Sequence, residues 1–415
     1  MDAPTFCPNV PAVVKREANV ANSGVPTFPQ DRTCPYQPAD AYLPLTAQEP
    51  LSRVQLYDGR TVWLVTGHDA ARRLLSHPEV SADRQHPDFP SPGAHFEALR
   101  HIPTPLLGVD GPEHARQRRP LVPAFTARSA AALRAHIQQI TDTLLDAIEE
   151  LGPPADLVSA FAAPLSSKVA CQLLGVPAGD RDFFESRLHL LFTGTPDQAL
   201  TARSELMDHL DALLTSKETR HGEGLLDVLL EHARTDGGLD RFTLVRMAVI
   251  LLTAGHETTA NMITIGTYTL LQHPNCVNQL RAGAESLPAV IEELLRLVCV
   301  FDIVMRVATA DISIEGHAIR VGDGIVVSLS LASHDPAHYP APHIIDTKQA
   351  SPRHLAFGTG PHQCLGQHLA RTELHIAFRS LLTRFPNLHL DPATATAGFQ
   401  PGTVLQRMTA LPVHW

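Results

Sequence analysis

The sequence predicts a mainly α-helical single domain with small β-sheets, a helix-rich lobe beside a smaller sheet-rich one. Three observations carry this. Helical periodicity runs from 129 to 254, with breaks at Gly-Pro and Gly-Gly turns; a long apolar helix is expected over 242–272; and short strand-like runs lie between glycine turns at 54–66 and 311–329. No repeat, charge run or low-complexity linker divides the 415 residues, so one domain fits better than two. Hydrophobic residues at 44% and charged residues at 18% exclude wholesale disorder, and a net charge of −10 argues against a broad nucleic-acid footprint. Six cysteines are scattered without a CxxC pair, which argues against a disulfide framework. The first residues carry an acid and prolines but no apolar run, and the most apolar stretch, 245–254, falls well short of the ~20 residues a membrane span needs. A soluble, cytoplasmic protein is expected.

Along the chain, Pro4, Pro8, Pro11, Pro26, Pro29, Pro35 and Pro38 mark an extended arm laid over the surface, flexible over 1–20, with the folded domain spanning 21–415. Runs 54–57 and 61–66 flank Asp58-Gly59-Arg60 and read as a hairpin, because Asp-Gly accepts positive φ. A short helix at 68–76 stops before Pro78, and 81–105, rich in Pro, His and Asp, reads as a long loop. The helix at 242–272 is apolar on nearly all sides and should run through the interior. Pro288 opens a helix to 298, strands follow at 311–314, 318–321 and 325–329, and a helix at 365–385 precedes a Pro-rich, strand-like tail.

Phe357, Gly360, Cys364 and Gly366 fit the pattern F-x-x-G-x-x-x-C-x-G. Glycines at 358, 360 and 366 allow tight turns and close approach of a flat ligand. Cys364 precedes a helix, whose N–H groups and dipole stabilise a thiolate suited to haem iron. The other five cysteines read as buried apolar residues. On these residues the chain resembles the cytochrome P-450 monooxygenases, in particular their soluble bacterial, actinomycete-type branch, over roughly 40–415. The resemblance implies the cytochrome P-450 fold, haem b (heme b, iron-protoporphyrin IX) as cofactor, and Cys364 as the iron ligand, with Phe357, Gly358 and Gly366 beside it.

Ala254-Gly255-His256-Glu257-Thr258-Thr259 lies midway along the long helix, where a glycine, an acid and two threonines are poor choices for a buried interior. Taken alone, the hexapeptide allows two readings equally: a threonine bonded back to its own helix with a salt-bridged glutamate, or a proton-delivery pair. The family motif A-G-x-[DE]-T matches it. The resemblance implies a helix that bulges over the haem at Ala254, with Thr258 bonding O2 and Glu257 relaying protons.

Glu293 and Arg296 share a helix face at i, i+3. The resemblance makes them the family's ExxR ion pair, which braces the cysteine loop. Where the family places a third arginine, this chain has Ile344 within Pro342-His343-Ile344-Ile345-Asp346; either His343 substitutes or the network is smaller. His114 and Arg118 stand at i, i+4 after Asp110-Gly111-Pro112-Glu113, which reads as an acid cap with a glutamate three later. Two such donors suit a carboxylate pair. The resemblance places them on one haem propionate, and Arg306 and His362 on the other.

Pocket walls are expected from 81–105, 190–200, 250–254, 298–303 and 400–405, mostly apolar apart from Asp302, which either orients a polar group of the substrate or caps a turn. The implied reaction inserts one atom of O2 into a lipophilic metabolite of secondary metabolism. The same residues would serve oxidative coupling without oxygen transfer. A haem sensor or carrier is a rival that gives Glu257-Thr258 nothing to do. No flavin or nicotinamide fingerprint is present, so the resemblance implies a ferredoxin and ferredoxin reductase as electron donors. Arg72, Arg73, Arg116, Arg119, Arg353 and Arg371 are candidate docking contacts.

Overall fold

The computed structural model describes residues 25–415 apart from 31, 33, 35, 40–41, 47–48, 101, 221, 237–238, 283–285, 349–352, 392–398 and 401–403. The flexible arm expected over 1–20 lies outside the described residues. Its continuation does more than cover the surface. Phe28, Tyr36 and Tyr42 are buried, and Phe28 N–H and Gln55 N–H exchange bonds with Gln55 and Pro26 carbonyls along the sheet edge. Cys34 is also buried and is disulfide-bonded, contrary to its expected free state.

The long helix, Arg241–Leu271, starts where Asp240 Oδ1 accepts from Thr243 N–H at 2.7 Å. Every residue from Thr259 to Leu270 is buried, as the all-round apolar pattern requires. The hydroxyls of Thr264, Thr267 and Thr269 are satisfied by carbonyls four residues back. Helices Ala163–Leu174, Pro196–Thr219, Leu287–Val298 and Gln367–Arg384 pack around this axis. Gly266 permits the last of these to come close, since a Cβ there would stand 2.6 Å from the Phe378 ring.

The sheet lobe has its own apolar core. Its main sheet has the order Leu51–Gln55, Thr61–Val65, Gly324–Ser328, Ile303–Ala308, Val80–Ser81. Only the second and third strands run parallel. Gly59 adopts φ +85° in the expected hairpin turn. Two elements depart from the sequence reading. The strand Ile303–Ala308 was not expected; it is largely apolar without alternation, with Arg306 its one charged residue, and it pairs along both edges. The loop 81–105 contains a short helix, Ala94–Leu99. The tail forms Pro412–His414, sandwiched between Ala155–Asp156 and His389–Leu390.

Candidate active site

The cysteine loop folds back on itself. Cys364 N–H donates to Phe357 O at 2.8 Å and Gly358 N–H to Leu355 O at 2.7 Å. Gly358 and Gly360 take φ +63° and +76°, and a Cβ on Gly360 would collide with the Leu75 carbonyl. This contact lays helix His68–Leu75 against the loop. Gly366 then opens helix Gln367–Arg384, as the sequence predicts. Cys364 is reachable by solvent, yet protein encloses its sulfur on most sides. That enclosure pushes the thiol pKa up, while the N–H groups of Gly366 and Gln367 and the guanidinium groups of Arg118 and Arg371 oppose it.

Beside the loop, four predicted residues converge from three elements. His114 and Arg118 come from helix Gly111–Arg118, Arg306 from strand Ile303–Ala308, and His362 from the loop. The His114 and His362 rings lie 4.1 Å apart, and Arg118 Nη2 donates to Gln363 O at 2.6 Å. The carboxylate amid them is Asp110, which accepts from His362 Nε2 at 3.1 Å, Ser81 Oγ at 2.6 Å and Ala82 N–H at 2.9 Å. Burial would raise its pKa, but these donors hold it at about 2. Asp110 therefore does not make the side-chain helix cap expected of it; its oxygens are taken by long-range partners. Glu113 pairs with Arg116 and Gln117. Burial, then His362 and Arg118, push His114 down to about 4 against the opposing field of Asp110. Burial brings Arg306 down to about 10, with Asp110 opposing and Arg84 assisting. Donors and positive charge thus outnumber acceptors, which fits a ligand with two carboxylates, as haem b has. A Cβ on Gly358 or Gly366 would meet nothing within 4 Å, which leaves room for a flat group.

The brace is built as expected and extended by residues the sequence did not mark. Arg296 grips Glu293 with two bonds, Nε to Oε1 at 2.8 Å and Nη2 to Oε2 at 2.9 Å, both residues being buried. Main-chain groups complete the network where the family has a third arginine. Arg296 donates to Ser333 O, Pro342 O and Ile344 O, and Glu293 accepts from Asp346 N–H at 3.0 Å. Ile344 itself is exposed, and the His343 ring lies 5.6 Å from that of His334. Ser333 Oγ accepts from Leu355 N–H, joining this network to the cysteine loop.

Glu292, which sequence reasoning missed, accepts from Arg371 at 2.6 and 2.9 Å and from His354 at 3.1 Å. Arg371 also covers the Phe357 ring at 4.6 Å, so this candidate docking residue is a structural clamp. Burial would raise the Glu292 carboxyl, yet its two partners hold it at about 2.

Ala254, Glu257 and Thr258 lie on the long helix, which stays α-helical throughout and does not show the expected bulge. Thr258 Oγ1 donates to Ala254 O at 2.8 Å, the back-bonded geometry that satisfies its hydroxyl hydrogen locally. Glu257 takes no salt bridge among the described residues but accepts from Asn261 Nδ2 at 3.1 Å, and burial pushes its pKa up. Ala254 is exposed, although Leu252, His256 and Thr259 around it are buried, so the helix borders an open cleft there. Asp302 accepts from Ser328 and Ser330 hydroxyls, and its backbone bonds Val404 and Leu329; it braces a turn.

Comparison with known proteins agrees. The sequence profile of the family described as Cytochrome P450 matches residues 170–406. Pentalenic acid synthase of Streptomyces avermitilis is 50% identical over 400 residues, covering 96% of this chain and 100% of the relative. Among solved structures, cytochrome P450 MoxA from Nonomuraea recticatena matches with a TM-score of 0.88 at 40% identity, over 94% of this chain and 98% of that one. Mycinamicin VIII C21 methyl hydroxylase from Micromonospora griseorubida, solved with mycinamicin VIII bound, matches at 0.87 and 36%, over 94% and 100%. No helix among the described residues is long and apolar enough to cross a membrane. A cysteine at a helix start, a surplus of carboxylate-binding groups beside it and similarity along nearly the whole chain place this protein in the cytochrome P450 family of haem-thiolate monooxygenases.

Proposed function

We propose that Cys364 is the proximal ligand of haem b, that His114, Arg118, Arg306 and His362 hold its propionates, and that Glu257 and Thr258 deliver protons. The observation that carries this is the gathering of His114, Arg118, Arg306 and His362, with Asp110 bonded to His362, next to a sulfur at a helix N-terminus. When bound, the haem supplies O2 activation and insertion of one oxygen atom into the substrate. The chain supplies the rest. Amide hydrogens of Gly366 and Gln367, with Arg118 and Arg371, favour the thiolate form of Cys364. Glu257, its pKa raised by burial, holds a proton near neutral pH more readily than an exposed carboxyl does. Thr258 has committed its hydrogen to Ala254 O, so its oxygen remains an acceptor that can order a water or a protonated oxygen. Ala254, Phe357, Gly358 and Gly366 would line the haem when it is bound, the two glycines leaving room for it.

The substrate proposed is a lipophilic metabolite carrying an acidic group, hydroxylated in the cytoplasm with electrons from a ferredoxin and its reductase. Arg84, Arg203 and Arg246 support the acidic group. None has an ion pair among the described residues, and Arg84 and Arg203, like Arg203 and Arg246, lie within each other's field. Arg84 packs against the 104–108 turn, and Arg246 Nη1 donates to Pro103 O at 2.6 Å, so both border the loop expected to wall the pocket. The name of the relative pentalenic acid synthase, which makes an acid, is consistent with this.

The deciding measurement is a carbon monoxide difference spectrum of the dithionite-reduced protein. Thiolate ligation gives a Soret band far to the red of a histidine-ligated haem, and Cys364→Ala should abolish it. A band in the histidine position, or one that survives Cys364→Ala, would overturn the assignment.

A further inference from the structure

Apart from the haem site, His68 and Asp69 at the start of helix His68–Leu75 and His338 from the 335–339 turn make a second constellation. His68 is 1% exposed, and its Nε2 lies 2.9 Å from the Arg353 carbonyl oxygen. A carbonyl only accepts, so Nε2 carries the hydrogen, and in the neutral ring Nδ1 presents a lone pair. That Nδ1 is buried without a hydrogen-bond partner. It faces Asp69 Oδ1 at 3.6 Å. On the other side of the same carboxylate, His338 Nε2 lies 3.4 Å from Asp69 Oδ2, and the two imidazole centroids are 4.1 Å apart. One ligand atom from each of the three residues falls within 4.8 Å of the others.

An imidazole lone pair and a carboxylate facing each other need a cation between them. A proton on Nδ1 would serve His68 and Asp69 alone, and 3.6 Å is longer than the roughly 2.7–3.2 Å of a hydrogen bond. A metal ion would engage all three groups at once. Ligand atoms of a tetrahedral ion with bonds of about 2.1 Å stand about 3.4 Å apart. The two carboxylate spacings, one to each oxygen of Asp69, are close to this, and Asp69 and His338, both solvent-accessible, can rotate to bring a single carboxylate oxygen and both ring nitrogens onto one ion. A carbonyl that fixes the tautomer of a ligating histidine is the usual outer-shell arrangement.

We propose that His68 Nδ1, Asp69 and His338 Nε2 form a binding site for a divalent transition-metal ion of the zinc type, with a fourth position open to water. The ion would tie the first turn of helix His68–Leu75 to the 335–339 turn, whose Asp335 already accepts from His68 N–H at 2.9 Å. Through the Nε2 bond to Arg353 it would also steady the chain entering the cysteine loop. This site is independent of the haem assignment, and each can fail without the other.

The test uses the full-length, haem-loaded protein stripped with chelator and titrated calorimetrically with zinc chloride. One equivalent should bind and raise the unfolding temperature. Asp69→Asn and His338→Ala, both at solvent-accessible positions, should each weaken that binding at least ten-fold while leaving the carbon monoxide spectrum unchanged. Because His68→Ala could disturb the buried Arg353 contact, the assignment rests on the other two variants. Absence of zinc uptake, undiminished uptake in both variants, or nuclear magnetic resonance showing a doubly protonated His68 in protein exposed to zinc would overturn the proposal.

Discussion

At the residue scale, Glu257 gives the sharpest functional test. Its carboxyl is buried with a raised pKa, and Asn261 holds it by one bond at 3.1 Å. Glu257→Gln keeps the shape and can keep an amide contact with Asn261, but it cannot release and regain a proton. Turnover should fall about 10²-fold, within the range expected for a lost acid–base group, while substrate-induced Soret shifts keep their midpoint. Equal turnover in the two proteins would remove Glu257 from proton delivery. Such residues were legible in the sequence because their chemistry is out of place locally: an acid and threonines inside an apolar helix, or a cysteine among glycines. Glu292 was not. It sits beside the Glu293 that attracted attention, and its partners His354 and Arg371 are 62 and 79 positions away. Asp110 was misread for the same reason, because an acid before a helix looks like a cap until Ser81, Ala82 and His362 arrive from elsewhere.

At the scale of elements, helix ends were readable because proline and glycine mark them, whereas the strand Ile303–Ala308 was not. Its residues Ile303, Val304, Met305, Val307 and Ala308 are apolar on both faces, so no alternation reveals it. The long helix was placed to within a residue at each end, but that it stays α-helical past Thr258, whose hydroxyl bonds Ala254 O, is not encoded in composition. The clamp joining helix Leu287–Val298 to the cysteine loop and helix Gln367–Arg384 makes a pH prediction. Glu292 titrates at about 2 in the folded protein, against about 4.3 when unfolded. A depressed carboxyl pKa stabilises the fold above the unfolded value and loses that contribution as pH falls toward the folded one. Wild-type stability should therefore drop more steeply between about pH 4.5 and 2 than that of Glu292→Gln, which has no such proton to gain. At pH 7 the variant should be less stable by about 1–3 kcal/mol, from weakened bonds to Arg371 and His354. Denaturant unfolding of the haem-loaded proteins across this range checks both; parallel curves would remove the clamp's role.

At the scale of the molecule, the sequence fits one helix-rich and one sheet-rich lobe, but it does not say which charges are free to meet a partner. The whole chain is acidic at −10, so the ferredoxin proposed as electron donor, if itself acidic, requires a local basic face. Gly360 against the Leu75 carbonyl puts helix His68–Leu75, with its arginines, beside the cysteine loop. Of the candidates on that side, Arg371 is committed to Glu292, Arg116 to Glu113 and Arg73 to Glu315. Arg72, exposed in the last turn of that helix, forms no ion pair among the described residues and is the best-placed contact. Exposed charges are screened over about 10 Å at 0.1 M salt, so ferredoxin-supported turnover at limiting ferredoxin should decline several-fold between 0.05 and 0.5 M salt, which shortens the screening length about three-fold. Arg72→Glu should raise the ferredoxin KM and flatten that salt dependence, leaving the carbon monoxide spectrum and dithionite reduction as they were. Turnover indifferent to salt would mean that apolar contacts, not this arginine, seat the electron donor.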